Sequence, residues 1–360
     1  MIDAHLVKRF PAGPESESFE LNVHLQAGPG ITVLFGSSGA GKSLTLNCIA
    51  GFAQPDEGRV LIGGDLYFDA AAGVHLSPQR RRCGYIFQDH ALFPHMTVRE
   101  NLRFAASAAG RGPARGLQRH RRINELLDAF QLAELAARRP AQLSGGQQQR
   151  AALARILVTD PRALLLDEPV RGLDLHLRQA FYDVLRSTRE RLKVPILLVT
   201  HDLEECFELA DSICIIHRGR FLQCGPRERV LSRPVSVEAA RTLGVYNIVP
   251  AEISALDPGR NTSKLKVFDR EVEGPYLPAH LLGDQGFLCV RESEIRIAAK
   301  ESENGLALRL LAAEPSYRGV RLRFEHGVCA TVSAADYEPL RGAVRFELDI
   351  PPSAVWFVAK

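Results

Sequence analysis

Apolar residues follow two rhythms along this chain, and the change between them falls near residue 235. In the first part, short uninterrupted apolar runs recur at Ile31-Thr32-Val33-Leu34-Phe35, at 163–166 and at 196–199. A run without polar interruption suits a strand covered on both faces. Helical patterns lie between the runs. Over 123–135, Ile123, Leu126, Leu127, Phe130 and Leu135 fall on one helix face. Strands alternating with helices predict a parallel sheet with helices packed on both sides.

In the second part the period shortens to two. Val320, Leu322 and Phe324 alternate with Arg321 and Arg323, and Glu325-His326-Gly327 turns the chain into 328–332. Val344, Phe346, Leu348 and Ile350 alternate again, as do Ala354, Trp356 and Val358. Such runs, broken by glycine or proline, predict short antiparallel strands. The organisation expected is an α/β domain over residues 1–234, then a smaller all-β domain over 245–360, a barrel or sandwich.

Composition bounds the function classes. Hydrophobic residues make up 46% and charged residues 24%, an ordinary globular mix. The net charge of +3, from 45 basic and 42 acidic side chains, gives no general attraction to nucleic acid. Arginine gathers at 111, 115, 119, 121 and 122. That segment reads either as a solvated loop entering a helix or as a contact for lipid headgroups or a membrane partner's acidic loop. No stretch reaches the ~18 apolar residues of a membrane span, and the first residues lack a signal peptide's apolar core. A cytoplasmic chain is expected. The seven cysteines show no CxxC pair and are expected to be reduced and mostly buried.

Three motifs carry chemistry. Gly36-Ser37-Ser38-Gly39-Ala40-Gly41-Lys42-Ser43 fits GxxxxGK[ST], directly after a predicted strand and opening a helix. Glycines let backbone N–H groups turn inward around phosphate oxygens, and the helix N-terminus adds partial positive charge. Lys42 would reach the β- and γ-phosphates of ATP, and the Ser43 hydroxyl would ligate Mg²⁺. The apolar run 163–166 ends in Asp167-Glu168. Asp167 would hold the Mg²⁺ shell, and Glu168 would accept a proton from the attacking water. Finally, Leu143-Ser144-Gly145-Gly146-Gln147 sets a small-residue turn on a helix N-terminus, another phosphate-facing device.

Together these motifs resemble the ABC ATPase family, whose signature is LSGGQ. The resemblance implies a P-loop α/β domain with a helical subdomain, here about 89–158. It also implies a homodimer sandwiching two ATPs, each held by one chain's P-loop and the other chain's Ser144, Gly145, Gly146 and Gln147. Gln88 resembles the Q-loop glutamine that senses Mg²⁺ and the attacking water. His201 resembles the switch histidine, although alone it reads as a surface group. Asp174 resembles the D-loop aspartate that crosses the dimer, in a loop that departs from the common Ser-Ala-Leu-Asp form by carrying Arg171-Gly172. Phe10 is the candidate for stacking on adenine, or else a core phenylalanine.

The stretch from Gly58 to Leu102, with Leu76-Ser77-Pro78-Gln79-Arg80 and Leu92-Phe93-Pro94-His95-Met96, is similar to the ATPase subunit of molybdate importers. That likeness implies an energy-coupling subunit, peripheral on the cytoplasmic face of the inner membrane beneath separate permease subunits. A periplasmic oxyanion-binding protein would take part indirectly. Exposed Phe93 and His95 would receive the permease, or else fill the base of the helical subdomain. The β domain resembles the OB- or MOP-like barrels of oxyanion importers, with Val245-Tyr246-Asn247-Ile248 at the place of that domain's opening asparagine. Sulfate and iron(III) importers are alternatives. A soluble, non-transport ABC ATPase is a different class of reading.

Overall fold

A hairpin opens the chain: β1 (Ile2–Phe10) pairs antiparallel with β2 (Phe19–Ala27). β2 alternates throughout and β1 as far as Leu6, with buried Ile2, Ala4 and Leu6 opposite buried Ala27, Leu25 and Val23. The computed structural model describes the 360 residues except 14–16, 87–91, 109–112, 299–301 and 317–318. Two units, Met1–Glu228 and Arg229–Lys360, divide the chain.

In the first unit the elements after the hairpin are β3 (Gly30–Phe35), α1 (Lys42–Ala50), β4 (Glu57–Ile62), β5 (Asp65–Asp69) and β6 (Val74–His75). Then come β7 (Cys83–Ile86), α2 (Val98–Ala108), α3 (Pro113–Ala129), α4 (Gly145–Leu157) and β8 (Ala163–Asp167). The unit closes with α5 (Leu175–Leu192), β9 (Pro195–Thr200), α6 (Leu203–Leu209), β10 (Ser212–His217) and β11 (Arg220–Pro226). The predicted parallel sheet is present, in the order β10-β3-β9-β8-β7, with β11 added antiparallel at one edge.

One face of that sheet is not covered as expected. A second sheet, β2-β1-β4-β5-β6, shares a single core with α1 and with Leu34, Leu165, Leu197 and Val199 of the parallel sheet. Helix α1 therefore lies in the core between the two sheets, while α6 packs on β3 and β9. The signal was available in the alternation of residues 2–6 and 21–25, which is that of strands covered on one face. The helix predicted over 123–135 also stops early. Gln131 takes a positive φ of 53°, Leu132 N–H returns to Leu127 O at 2.7 Å, and Leu135 lies in a separate turn. Of the arginine-rich segment, Arg121 and Arg122 sit on α3 and pair with Glu125 at 3.0 and 3.8 Å. No helix among the described residues is long and apolar enough to cross a membrane.

The short helices α7 (Arg227–Ser232) and α8 (Val237–Leu243) lead into a strand-rich region. Its strands are β12 (Tyr246–Asp257), β13 (Thr262–Val267), β14 (Arg270–Pro275), β15 (Gln285–Arg291), β16 (Arg296–Ala298), β17 (Gly305–Ser316), β18 (Gly319–Phe324), β19 (Cys329–Val332), β20 (Arg345–Asp349) and β21 (Trp356–Ala359). They form two antiparallel sheets, β14-β13-β12-β15-β21 and β16-β20-β17-β18-β19, that enclose one core around Ile253, Leu288, Leu322, Phe324 and Leu348. Phe357 of β21 and the preceding Val355 point inward, whereas Val358 and Trp356 pack with Ala240 of α8. Asn247 is buried and spans to β19: its amide donates to Cys329 O at 2.8 Å and accepts from Cys329 N at 2.6 Å. Its polar atoms are thus used in holding the fold together.

Candidate nucleotide site

Register puts the site together before any side chain is considered. β3 and β9 pair one to one from Gly30 opposite Pro195 to Phe35 opposite Thr200, and β8 runs alongside with Asp167 opposite Val199. Three parallel strands therefore end together, and the next residues along the chain are Gly36, Glu168 and His201. This is the carboxyl edge of an α/β sheet, where loops gather around ligands.

The loop 36–43 turns onto α1 through Gly41, whose φ of 106° lies outside the range of ordinary side chains. A Cβ there would also stand 2.9 Å from Leu21 Cδ1. The Lys42 ammonium curls under the loop and donates to the carbonyls of Gly36 (2.7 Å) and Ser37 (2.8 Å). Burial lowers its pKa, and the carboxylates of Glu168 and Asp167 oppose that shift. Ser43 Oγ donates to Asp167 Oδ1 at 2.9 Å, while burial raises the Asp167 pKa. A hydroxyl and a carboxylate in contact offer the hard oxygen donors that Mg²⁺ takes.

Two residues missed in the sequence complete this corner. The Tyr85 hydroxyl donates to Asn47 Oδ1 at 2.9 Å, with Asp167 Oδ2 as an alternative acceptor at 3.4 Å. Asn47 lies one helical turn beyond Ser43 on α1, which was the available clue.

Glu168 sits at φ 46°, in the left-handed region that non-glycine residues rarely occupy. Its carboxylate is held at both oxygens. His201 Nδ1 lies 3.1 Å from Oε1, and Arg171 Nη1 donates to Oε2 at 3.1 Å. Arg171 is the residue by which the loop departs from the ABC pattern, so the departure falls directly on the glutamate.

Ser144, Gly145, Gly146 and Gln147 open α4 as a reciprocal cap. Gln147 N–H donates to Ser144 Oγ at 3.4 Å, and Ser144 N–H donates to Gln147 Oε1 at 3.0 Å. A Cβ on Gly146 would come within 2.5 Å of Leu177 Cδ2, so the turn lies tight against α5. Asp174 caps that helix by accepting from Leu177 N–H at 2.9 Å. Gln149, buried on α4, donates to Pro169 O at 2.8 Å and ties the signature helix to the turn after Glu168. Among the described residues, no hydrogen bond joins 144–147 to the loop 36–43. Gln88 lies outside the described residues.

Phe10 is exposed at the end of the first hairpin, tilted against Phe19 at 6.4 Å, and Phe19 reaches the side of Gly41. Phe93 packs edge-on against exposed Phe104 at 4.8 Å, with the Arg155 guanidinium 5.4 Å from its ring centre. Buried Asn101 fixes that loop through Phe93, Met96 and Thr97, and His95 is exposed.

Comparisons with known proteins agree with this arrangement. The family profile described as ABC transporter matches residues 19–171. The molybdenum import ATP-binding protein of Rhodospirillum rubrum is 33% identical over 344 residues, 94% of this chain and 86% of the relative. The spermidine/putrescine import ATP-binding protein of Pseudomonas fluorescens is 37% identical over 298 residues, 81% of this chain and 76% of the relative. A dimeric ATP-binding cassette in a post-hydrolysis state, bound to ADP and Pi, superposes with a TM-score of 0.52 at 29% identity. It covers 63% of this chain and 99% of that one. The chain belongs to the ATP-binding proteins of ABC transporters and is an ATPase of the import type.

Proposed function

We propose that this chain works as a homodimer beneath membrane permease subunits, coupling ATP–Mg²⁺ hydrolysis to uptake of an oxyanion of the molybdate class. The observation that carries the ATPase mechanism is the meeting of loop 36–43, Ser43–Asp167 and Glu168–His201 at one sheet edge. The loop's amides and Lys42 would bind the phosphates, with Lys42 exchanging its two carbonyl partners for phosphate oxygens. Ser43, Asp167 and Gln88 would hold Mg²⁺, which supplies charge neutralisation across the phosphates. Glu168 would accept the proton of the attacking water, with His201 holding its carboxylate. Ser144, Gly145, Gly146 and Gln147 make no bond to the chain's own loop, which supports their serving a second copy's ATP, with Asp174 crossing beside them. Phe10, with Phe19 behind it, would stack on the adenine. Phe93, Phe104 and His95 would receive the permease.

Molybdate is supported by the 58–102 stretch and by the Rhodospirillum rubrum relative, which matches 94% of the chain. The Pseudomonas fluorescens relative favours a second reading, polyamine import. The two separate cleanly in proteoliposomes that hold the chain with its membrane permease. ATPase stimulation by molybdate-loaded binding protein, with no response to spermidine or sulfate, is expected. Stimulation by spermidine alone overturns the oxyanion reading.

A further inference from the structure

Behind His201 lies a buried polar cluster that the nucleotide chemistry does not use. Its centre is Glu205, 2% exposed on α6. The Thr200 hydroxyl donates to Glu205 Oε2, and the same hydroxyl accepts Asp202 N–H at 2.9 Å. Asp202 in turn caps α6 by accepting Glu204 N–H at 2.9 Å and takes a 2.6 Å ion pair from Arg178. Arg178 stands on α5 one turn after Asp174, whose carbonyl accepts its N–H at 3.0 Å. Both neighbours of His201 in the chain are therefore fixed from behind, Thr200 by a carboxyl group and Asp202 by a guanidinium.

We propose that Glu205 is a positioning residue for His201, acting through Thr200 while Arg178 holds Asp202 and links the switch loop to the Asp174 loop. Burying the Glu205 carboxyl is costly unless its hydrogen bonds have a use; here they and those of half-buried Arg178 end on the two residues that flank His201. The link also gives a physical path between sites. A shift of α5 on dimer closure pulls on Asp202, and thereby on the imidazole that bonds Glu168. The groups facing the Glu205 carboxyl are Asp202, Arg178 and Tyr182, with Glu168 farther off. Burial raises its pKa to about 7, so it stands between its two protonation states near neutral pH.

The inference rests on His201 being the switch histidine, and a double-mutant cycle in the full chain separates the two claims. Glu205→Ala is expected to lower kcat about tenfold or more, with fluorescent-nucleotide affinity unchanged, as for a misplaced catalytic group. Glu205→Gln keeps an acceptor for Thr200 and should recover most of that loss. In a His201→Ala background the Glu205→Ala change should cost nothing further, because its effect passes through the imidazole. Equal losses in both backgrounds, or wild-type kcat in Glu205→Ala, overturn the positioning role and leave the His201 assignment standing. Wild-type turnover in His201→Ala alone overturns both.

Discussion

His201 Nδ1 and Glu168 Oε1 stand 3.1 Å apart, although the residues come from the ends of two different strands. Register brings them together: β8 and β9 are parallel, Asp167 lies opposite Val199, and Glu168 N–H donates back to Val199 O at 3.1 Å. The left-handed φ of Glu168 is the local consequence. The chain must leave β8 sharply so that the carboxylate points along the edge and not into the sheet.

Glu168→Gln keeps the size and one acceptor of that side chain but removes the base. Turnover should fall by about a hundredfold or more, with ATP affinity kept. The variant should then elute as a dimer in ATP and as a monomer without it. Wild-type hydrolysis by this variant would mean that another group takes the proton.

Ser144→Arg tests whether the signature serves the partner. An arginine there breaks the reciprocal cap with Gln147 and fills the phosphate-facing turn. Homodimers of the variant should be inactive, as should homodimers of Lys42→Ala. In a mixed dimer of the two, the Ser144→Arg chain's intact loop meets the other chain's intact signature, and the Lys42→Ala loop meets the broken signature. One of the two composite sites then contains both faults and the other contains neither, so about half of the wild-type turnover per dimer is expected if sites act independently. A mixed dimer with no activity would show either self-completed sites or strict coupling, and a wild-type/Ser144→Arg dimer with half activity would distinguish coupling as absent.

Much of this site was legible because its chemistry is local in sequence. A phosphate loop, a strand ending in two acids and a capped glycine turn each sit within a few residues, and each needs fixed residue types. What remained hidden depends on separated segments. Tyr85 reaches Asp167 and Asn47 only because β7 lies beside β8, and Arg171 was visible as a departure but not as a partner of Glu168. The alternation predicted the last strand correctly but not which surface each side of it serves. Trp356 and Val358 of β21 pack toward α8, while Phe357 and the preceding Val355 fill the core between the sheets.

Arg81 illustrates a residue that reads as surface charge in Arg80-Arg81-Arg82 and proves to be buried. Its Nη1 donates to the carbonyls of Cys48 and Ile49 at 2.8 Å, closing the C-terminal end of α1, and its Nε donates to Leu76 O at 2.9 Å. Arg81→Ala leaves those carbonyls without their donor and should destabilise the first unit by about 3 kcal/mol. Calorimetry should show that unit's transition lowered by roughly 6–12 °C. Lysine, a single point donor, should restore only part of it.

Glu205 predicts how stability changes with pH. Its carboxyl titrates at about 7 in the folded chain, raised by burial from the ordinary glutamate value of about 4.5. Below the lower value both folded and unfolded states carry the proton, and the group's contribution is fully present. Between the two values the folded state keeps a proton that the unfolded state has lost, so stability falls as pH rises, until the folded group also ionises near 7. The loss attributable to this one carboxyl is about 3 kcal/mol over that window. Glu205→Gln carries no proton to lose, so its stability relative to the unchanged chain should improve from pH 5 to about pH 7 and then level off. Urea unfolding at several pH values measures this directly, followed by a probe in the first unit. Parallel profiles for the two chains would mean that Glu205 ionises as readily in the fold as in water, and that the Thr200 and Arg178 contacts offset its burial completely.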